Sequence, residues 1–279
     1  MKTAFFTGGT NGLGLVAATH LFQKGYRVYV TTRSEAGRQR LETYQKENAP
    51  NGEGEFVFLD CNLSDMRSVE SAVNSFLKAE SKLDLLVNNA GIWNTERLES
   101  AQGIEETWHV NVLAPVFLIR GLRPALLKSK KPKVITTASA LHQGPIQFSD
   151  IEFTESFSGF KAYRQSKHSV LLFTQFFANT DSEIAYYCQH PGVVSTELAR
   201  DMGFVPRLLF SMMGISKEKG AQNLIYLCQA NRDQLHSGAY YAKKRVAKRP
   251  PEIKDQDYAS KLMVKIDFYL RDKLEPVSL

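Results

Sequence analysis

Short apolar segments, many of them rich in β-branched residues, alternate with stretches of helical periodicity along the chain. The predicted strands are Lys2–Thr7, Arg27–Thr32, Glu55–Asp60, Leu83–Asn88, Lys133–Ala138, Ile184–His190 and Gly238–Tyr241. The helical periodicity between them is clearest at Val69–Leu77, Ala162–Phe177 and Lys217–Cys228. Strict alternation predicts parallel pairing with right-handed crossovers. We therefore expect an α/β fold with one doubly wound, mostly seven-stranded parallel sheet, formed as a single domain over residues 1–279.

A glycine-rich turn follows the first predicted strand and leads directly into a helix, with the sequence Thr7-Gly8-Gly9-Thr10-Asn11-Gly12-Leu13-Gly14. Amides at a helix N-terminus and the helix dipole both attract phosphate. Gly8, Gly12 and Gly14 have no Cβ, so the backbone can approach a ligand and the helix can pack close to the sheet. Taken alone, the glycines fit both a dinucleotide site and an ordinary turn.

The chain has 279 residues, of which 43% are hydrophobic, and this is enough for one large core without a second domain. Its formal net charge is +6, and most of the excess lies in two clusters, Lys128 to Lys133 and Lys243 to Arg249. We interpret both clusters mainly as solvated loops, with peripheral contact with an anionic membrane or an acidic partner as the alternative. No nucleic-acid binding is expected, because neither cluster is interleaved with aromatic residues.

The three cysteines, Cys61, Cys188 and Cys228, are widely spaced and odd in number. They match neither a disulfide framework nor a zinc-binding spacing, so we expect a reducing, cytoplasmic environment and no metal. No apolar run approaches the length that a membrane-spanning helix needs, and we expect a soluble protein.

Tyr163 and Lys167 are four residues apart at the start of a predicted helix. This spacing places both side chains on one helix face, about one turn apart. An ammonium there favours the phenolate and predicts a lowered tyrosine pKa, which would make the phenol a usable general acid or base. Tyr240 and Lys244 have the same spacing, so the context must decide which pair carries chemistry.

Two further polar residues suit the same reaction. Ser139 follows a predicted strand and is placed to donate to the carbonyl oxygen that Tyr163 would protonate; an ordinary turn residue is the alternative. Asn111 lies between apolar neighbours in a predicted helix. It is either satisfied by a local hydrogen bond or directs a carbonyl toward a bound water and Lys167.

Together these motifs resemble those of the classical short-chain dehydrogenase/reductase family, and the resemblance covers nearly the whole chain. The matching segments are Thr7–Gly14, Asn88–Gly91, Ser139, Tyr163 with Lys167, and Pro191 with Gly192. Within the family, the segments Ala138–His142 and His190–Leu198 are similar to those of retinol-dehydrogenase-like oxidoreductases. The membrane-anchoring N-terminal extension of many such proteins is not part of this sequence. The resemblance implies a Rossmann fold and hydride transfer with a bound nicotinamide.

The resemblance also implies roles for individual residues. Tyr163 matches the proton donor, Ser139 the group that orients the substrate carbonyl, and Lys167 the residue that holds the nicotinamide ribose. Asn111 matches the asparagine that holds a proton-relay water. The implied cofactor contacts are Gly8, Thr10, Asn11, Gly12, Leu13, Gly14, Arg33, Asn62, Leu63, Asn89, Ala90, Gly91, Tyr163, Lys167, Val194 and Thr196. Asn62 replaces the aspartate that relatives usually place against adenine, which keeps a hydrogen bond and removes a charge.

The residue after the second predicted strand distinguishes the two nicotinamide cofactors. NAD sites usually place an acidic residue there to bind the ribose 2′-hydroxyl. This chain has Arg33, whose guanidinium can form a forked contact with a 2′-phosphate and stack on adenine. We therefore expect NADP(H), with a solvated loop arginine as the alternative.

Substrate and assembly are less constrained. The segment Met202–Met213 is apolar and rich in methionine, and it suits a cover over a lipophilic ligand, a membrane contact or a core-facing helix. We expect a lipophilic aldehyde or ketone, retinoid- or steroid-like, and its alcohol. Leu262, Ile266 and Tyr269 form one stripe of a predicted helix, Asp255–Leu274, that packs against the sheet or a second subunit. The family resemblance implies a homo-oligomer of unspecified size.

These inferences favour an NADP-dependent carbonyl reductase or alcohol dehydrogenase. Two alternatives use the same fold: an NADP-sensing regulatory protein, and a dehydratase or epimerase that uses bound nicotinamide without net turnover. The complete set of Asn111, Ser139, Tyr163 and Lys167 argues against the sensor, because a sensor needs the nucleotide turn but no proton donor.

Overall fold

One sheet of eight strands organises the computed structural model, which describes residues 1–192 and 216–273. The strands are β1 (Lys2–Thr7), β2 (Tyr26–Thr32), β3 (Glu55–Asp60), β4 (Leu85–Asn88), β5 (Lys133–Thr137), β6 (Ala185–His190), β7 (Tyr240–Ala242) and β8 (Arg245–Val246). Their order across the sheet is β3-β2-β1-β4-β5-β6-β7-β8. The first seven strands pair in parallel, and β8 is antiparallel to β7.

Helices connect these strands and cover both faces of the sheet. The α-helices are α1 (Gly12–Gln23), α2 (Glu35–Asn48), α3 (Met66–Ala79), α4 (Glu106–Trp108), α5 (Ala114–Leu126), α6 (Gly159–Thr180), α7 (Lys217–Gln229) and α8 (Gln256–Phe268). A π-helical turn, His109–Leu113, joins α4 to α5, and a second one, Tyr269–Lys273, follows α8. The sheet separates two buried apolar clusters, one on each face.

The strand order reverses between β1 and β4, which are neighbours in the sheet although two strands separate them in the chain. In open parallel sheets, the carboxyl ends of the strands at such a switch point form a ligand-binding crevice. The glycine-rich turn after β1 and the Asn89-Ala90-Gly91 segment after β4 both lie at this edge.

The predicted doubly wound, single-domain Rossmann fold is confirmed, and all seven predicted strands are present with shifts of one or two residues at their ends. Two details of the basic clusters differ from the prediction. Arg245–Val246, which we interpreted as loop, forms β8. Lys133, which we grouped with solvated lysines, is only 8% exposed and donates to the carbonyl oxygens at the end of α7, those of Leu227, Cys228 and Ala230.

The C-terminal helix packs as its apolar stripe predicts. Leu262, Ile266 and Tyr269 are buried in the same cluster as residues of α6. The hydroxyl of Tyr269 donates to Glu152 Oε1 at 2.6 Å, which ties this helix to the loop before α6. All three cysteines are buried and free. Among the described residues, no helix is long and apolar enough to cross a bilayer, and no cluster of side chains suits a metal ion.

Candidate active site

The turn between β1 and α1 leaves a helix N-terminus open at the switch point. Gly8 and Gly12 have left-handed backbones, with φ of 68° and 54°, which L-residues rarely adopt. A Cβ on Gly14 would lie 2.1 Å from the carbonyl oxygen of Gly8, so the close helix–turn contact requires glycine. The first turn of α1 carries no acidic residue, and its positive dipole end is therefore not neutralised. This turn fits a dinucleotide pyrophosphate, with Thr10, Asn11 and Leu13 as its neighbours.

Hydrogen bonds of Thr7 and Asn89 connect the glycine-rich turn to the end of β4. The Thr7 hydroxyl accepts the N–H of Asn89 at 3.0 Å and that of Ala90 at 3.2 Å. The Asn89 amide donates to the carbonyls of Thr7 and Gly8, at 3.2 Å and 3.1 Å. These bonds fix the two sides of the crevice relative to each other. Asn89 therefore holds the glycine-rich turn in position through its side chain.

A second set of hydrogen bonds extends across the same edge of the sheet. Thr137 Oγ1 donates to Asn89 Oδ1 at 3.4 Å and accepts from Gln189 Nε2 at 3.1 Å. Asn223 on α7 donates to Gln189 Oε1 at 3.1 Å. The polar network thus runs from β4 through β5 and β6 to α7. Sequence reasoning missed Thr137, Gln189 and Asn223, because each resembles an ordinary strand or helix residue in the pattern.

Arg33 lies directly beyond β2 and is exposed. Three hydroxyls surround the start of α2: a Cβ on Gly37 would lie 3.0 Å from Thr32 Oγ1, 3.3 Å from Thr10 Oγ1 and 3.4 Å from Ser34 Oγ. A cation, several hydroxyl groups and a helix N-terminus converge here, and these are groups that bind phosphate.

The two arginines of α2 itself already have partners within the protein. Arg38 pairs with Asp60 at 2.6 Å, and Arg40 donates to the carbonyl of Thr10 at 3.3 Å. The contact of Arg40 links α2 to the glycine-rich turn.

Asn62 and Leu63 follow β3, at the same edge of the sheet. Asn62 is exposed, and its amide oxygen accepts from the backbone and the hydroxyl of Ser64, at 3.3 Å and 3.0 Å. Leu63 packs at the edge of the apolar core. The Asn62 amide oxygen therefore stabilises its own turn, and its amide nitrogen is the group with which it would reach an adenine.

Tyr163 and Ser139 meet where α6 passes the end of β5. Tyr163 is 5% exposed, and burial raises its pKa to about 12, although a side-chain hydrogen bond with Ser139 acts in the opposite direction. Ser139 Oγ accepts the N–H of Leu141 at 3.1 Å. Because an oxygen lone pair is occupied in this way, the Ser139 hydroxyl hydrogen is available to the phenolic oxygen or to a substrate oxygen.

Lys167 lies on the same helix, but the structure does not show the lowered tyrosine pKa that we expected from it. Its Nζ is 5.6 Å from the centroid of the Tyr163 ring and donates to the Thr137 carbonyl at 3.1 Å. Burial lowers the pKa of Lys167 itself to about 8. For Tyr163, loss of hydration on burial sets the direction of the pKa shift.

Asn111 lies within the π-helical turn and uses its whole side chain locally. Its Oδ1 accepts the N–H of Ile92 at 2.9 Å, and its Nδ2 donates to the Ile92 carbonyl at 2.9 Å and to Ser166 Oγ at 3.0 Å. A Cβ on Gly91 would lie 3.0 Å from Lys167 Nζ and 3.1 Å from Asn111 Oδ1. Gly91 therefore lies against both groups, at a position where a side chain would crowd them.

Tyr240 reaches the same site from β7, which sequence reasoning did not anticipate. Its hydroxyl donates to the Ser139 carbonyl at 3.1 Å, and His142 Nδ1 contacts the same oxygen at 2.6 Å. The rings of Tyr240 and His142 meet edge to face, with centroids 5.1 Å apart. The Tyr240–Lys244 pair itself lies on a strand and a turn, where its spacing does not create the face that Tyr163 and Lys167 share.

The structure brings the predicted catalytic residues and the predicted turns to one edge of the sheet. Val194, Thr196 and the Met202–Met213 segment lie outside the described residues. One aromatic neighbour of Tyr163 was also missed: Trp93 stacks on its ring, with centroids 4.5 Å apart and planes 10° apart.

Comparison with known proteins identifies the family. A family model described as short chain dehydrogenase matches residues 2–203. The chain belongs to the short-chain dehydrogenase family. This confirms the family that the motifs of the sequence resemble.

Curated relatives and solved structures extend this similarity over most of the short-chain dehydrogenase. Human retinol dehydrogenase 14 is 31% identical over an alignment that covers 94% of this chain and 84% of the relative. Human polyprenol dehydrogenase is 29% identical, with coverage of 81% and 72%. The crystal structure of NADPH-bound carbonyl reductase from chicken fatty liver matches with a TM-score of 0.66 at 23% identity, covering 89% of this chain and 99% of that chain.

Proposed function

We propose that this short-chain dehydrogenase is an NADP(H)-dependent oxidoreductase that transfers hydride between the nicotinamide and a carbonyl or alcohol substrate. The observation that carries the proposal is the convergence of Tyr163 and Lys167, with Lys167 Nζ 5.6 Å from the Tyr163 ring centroid and bonded to the Thr137 carbonyl beside Ser139, at the edge of the sheet where the glycine-rich turn fits a dinucleotide. A bound reduced nicotinamide supplies hydride to a carbonyl carbon.

Tyr163 supplies the proton that completes the reduction. Its hydroxyl gives the proton to the carbonyl oxygen, and together with the hydride that a bound reduced nicotinamide would supply to the carbon, this proton would complete the alcohol. A phenol with a pKa near 12 is protonated at neutral pH, as a general acid must be. Ser139 donates its hydroxyl hydrogen to the same substrate oxygen and orients it. Lys167, beside Gly91, would hold the nicotinamide ribose and favour the phenolate that proton transfer leaves.

The preference for NADP(H) is supported by Arg33, which is exposed directly beyond β2 and can pair with a 2′-phosphate. A lipophilic substrate is supported by two aromatic side chains at the site. Trp93 stacks on Tyr163, and Phe160 lies beside Trp93. Two relatives are named for retinol and polyprenol, which are lipophilic alcohols.

Oxidation of NADPH and NADH, followed at about 340 nm against a broad panel of aldehydes and ketones, tests this function. We expect NADPH to be used faster, and apolar carbonyl compounds to be the better substrates. Turnover with NADH that equals or exceeds turnover with NADPH would contradict the cofactor assignment. Activity confined to small polar sugars or 3-ketoacyl thioesters would contradict the substrate class.

Arg33→Asp should reverse the cofactor preference, because the carboxylate repels the 2′-phosphate and can accept the ribose 2′-hydroxyl instead. We expect kcat/KM for NADPH to fall roughly 100-fold or more, as for loss of a charge-assisted pair, and that for NADH to rise. Lys78→Asp makes the same charge change in the last turn of α3, at the opposite edge of the sheet, and should leave the ratio unaltered. An unchanged ratio in Arg33→Asp would refute the role of this residue.

A further inference from the structure

We infer that Trp93 determines substrate specificity, because it closes one face of Tyr163 and so restricts the directions from which a carbonyl group can reach the hydroxyl. The inference rests on the proposed function, in which Tyr163 is the proton donor. It predicts that carbonyl compounds with one substituent are preferred over isomers with two.

The stacking contact leaves no room for substrate over one face of the phenol. The centroids of Trp93 and Tyr163 are 4.5 Å apart with an interplanar angle of 10°, which is the spacing of rings in van der Waals contact. Tyr163 is 5% exposed, whereas Trp93 is partly exposed. The indole therefore stands between the phenol and solvent on that side, and a substrate must approach the hydroxyl past the indole edge.

The same groups hold the backbone next to both rings, so the main chain that carries the indole is fixed relative to the helix that carries the phenol. The residue before Trp93, Ile92, is bonded through both its N–H and its carbonyl to the Asn111 side chain. Asn111 also donates to Ser166 Oγ at 3.0 Å, and Ser166 Oγ donates to the Tyr163 carbonyl at 2.7 Å. A binding-site surface on a rigid backbone discriminates between substrates of different shape more strongly than a surface on a mobile one.

The other neighbour of Trp93 is also anchored. Asn94 Nδ2 donates to Glu106 Oε2 at 2.8 Å, and the carbonyl of Asn94 lies 2.0 Å from where a Cβ on Gly159 would be. The segment carrying Trp93 is thus pressed against the start of α6. The main chain at Trp93 cannot move away from Tyr163 without breaking contacts on both sides.

Phe160 continues the aromatic surface outward to solvent. Its ring is 6.0 Å from that of Trp93 and is 45% exposed. The Arg164 guanidinium lies over it at 5.2 Å from the centroid. One alkyl chain of a substrate can lie along Phe160 and Trp93, because this surface is apolar and reaches the bulk solvent. A second chain on the same carbonyl carbon would have to occupy the space that the indole fills.

Nonanal and dibutyl ketone are isomers with the same atoms and nearly the same hydrophobicity, and they differ in whether the carbonyl carbon carries one chain or two. The wild-type protein with NADPH should prefer nonanal. In Trp93→Ala, the ratio of kcat/KM for dibutyl ketone to that for nonanal should rise roughly tenfold or more, the effect expected when a clash with one or two methylene groups is relieved. Trp93→Phe, with a smaller ring, should give an intermediate ratio.

Phe268→Leu is the matched control. Phe268 is exposed to nearly the same extent as Phe160, 44% against 45%, but it lies at the end of α8. Its replacement should leave the ratio unchanged, whereas Phe160→Leu should raise KM for both isomers together. A ratio in Trp93→Ala equal to that of the wild type would overturn the inference while leaving the proposed function intact.

Calorimetric binding of the two isomers, with and without NADP⁺, provides a measurement that needs no turnover. Trp93→Ala should gain affinity for dibutyl ketone relative to nonanal in the same direction. If the wild type reduces neither isomer nor any other carbonyl compound, the proposed function fails; an affinity ratio that shifts in Trp93→Ala then still supports the steric role of Trp93. An unshifted affinity ratio counts against that role.

Discussion

Ser139 is held in place by contacts from three directions, and this explains how a residue in a turn can orient a substrate. Its hydroxyl oxygen accepts a backbone N–H, and its carbonyl receives both the Tyr240 hydroxyl and the His142 ring nitrogen. Because a carbonyl oxygen only accepts, Nδ1 of His142 must carry a proton in this contact. Tyr240 and His142 thus act on the substrate only through Ser139, as positioning residues.

Tyr240→Phe should lower kcat about fivefold to tenfold, because one hydrogen bond of about 1 kcal/mol no longer orients Ser139. KM for the carbonyl compound and Kd for NADPH should change little. Tyr241→Phe is the matched control, since Tyr241 is the next residue of β7 and packs on the other face of the sheet, where its hydroxyl accepts from the His236 backbone. A kcat of Tyr240→Phe equal to that of the wild type would contradict this positioning role.

Residues that belong to a local spacing or a strand end could be predicted from the sequence, and residues that reach the site only through tertiary contacts could not. Tyr163, Lys167 and Ser139 lie in recognisable spacings or strand ends. Trp93 and Tyr240 reach the site because loops and strands distant in sequence converge there, and no local pattern encodes that convergence. The pKa of Tyr163 was also wrongly anticipated, because helical spacing shows a nearby charge but not the burial that opposes it.

At the level of single elements, the interruption between α4 and α5 is the feature that helical periodicity did not predict. The N–H of Ala114 donates to the His109 carbonyl, five residues earlier, which is the π-helical pattern that often occurs at functional sites. The turn inserts Asn111 between the Ile92 loop and α6. It also buries His109, whose ring nitrogens both have no hydrogen-bond partner among the described residues.

His109 should make the protein less stable in mild acid. Burial lowers its pKa from 6.5 to about 4, so between these values the unfolded chain binds a proton that the folded chain does not. The free energy of unfolding should therefore fall as the pH drops from about 6.5 to about 4, by roughly 3 kcal/mol from this group. Urea unfolding at several pH values measures the slope.

His109→Gln should reduce that slope by the contribution of His109; part of the slope remains, because burial also lowers the pKa values of His190 and His168. His236→Gln, at an exposed position, should preserve the wild-type slope. If His109→Gln and the wild type lost stability equally over this pH range, the burial penalty would have to arise from other groups.

Lys133 connects β5 to the end of α7. Its Nζ donates to the carbonyl oxygens of Leu227, Cys228 and Ala230 at 2.8, 2.7 and 2.9 Å, and a cation at this end also suits the helix dipole. Lys133→Met should cost about 3 kcal/mol of unfolding free energy, because it leaves buried carbonyls unpaired.

Chemical denaturation compares this variant with Lys131→Met, which removes an exposed ion pair to Asp233 and should cost less than about 1 kcal/mol. Comparable losses in the two variants would contradict a special role for Lys133. Its role was not predictable from the sequence, in which Lys133 is one of four lysines between positions 128 and 133.

At the scale of the whole molecule, the sheet was the most predictable feature. Alternating apolar strands and amphipathic helices allow few topologies other than the doubly wound one, and the observed strand order follows. Register, strand ends and the added β8 depend on long-range pairing and on turn geometry, which the period of hydrophobicity does not specify. The crevice location followed from topology, but its polar network did not.

The most direct test of the central claim, that Tyr163 protonates a carbonyl substrate, is a comparison of Tyr163→Phe with the wild type. NADPH oxidation at about 340 nm and NADPH binding by titration should be measured on the same samples. We expect turnover to fall at least about 100-fold, the usual effect of losing a general acid, while Kd for NADPH changes little. Full turnover in Tyr163→Phe would contradict the claim.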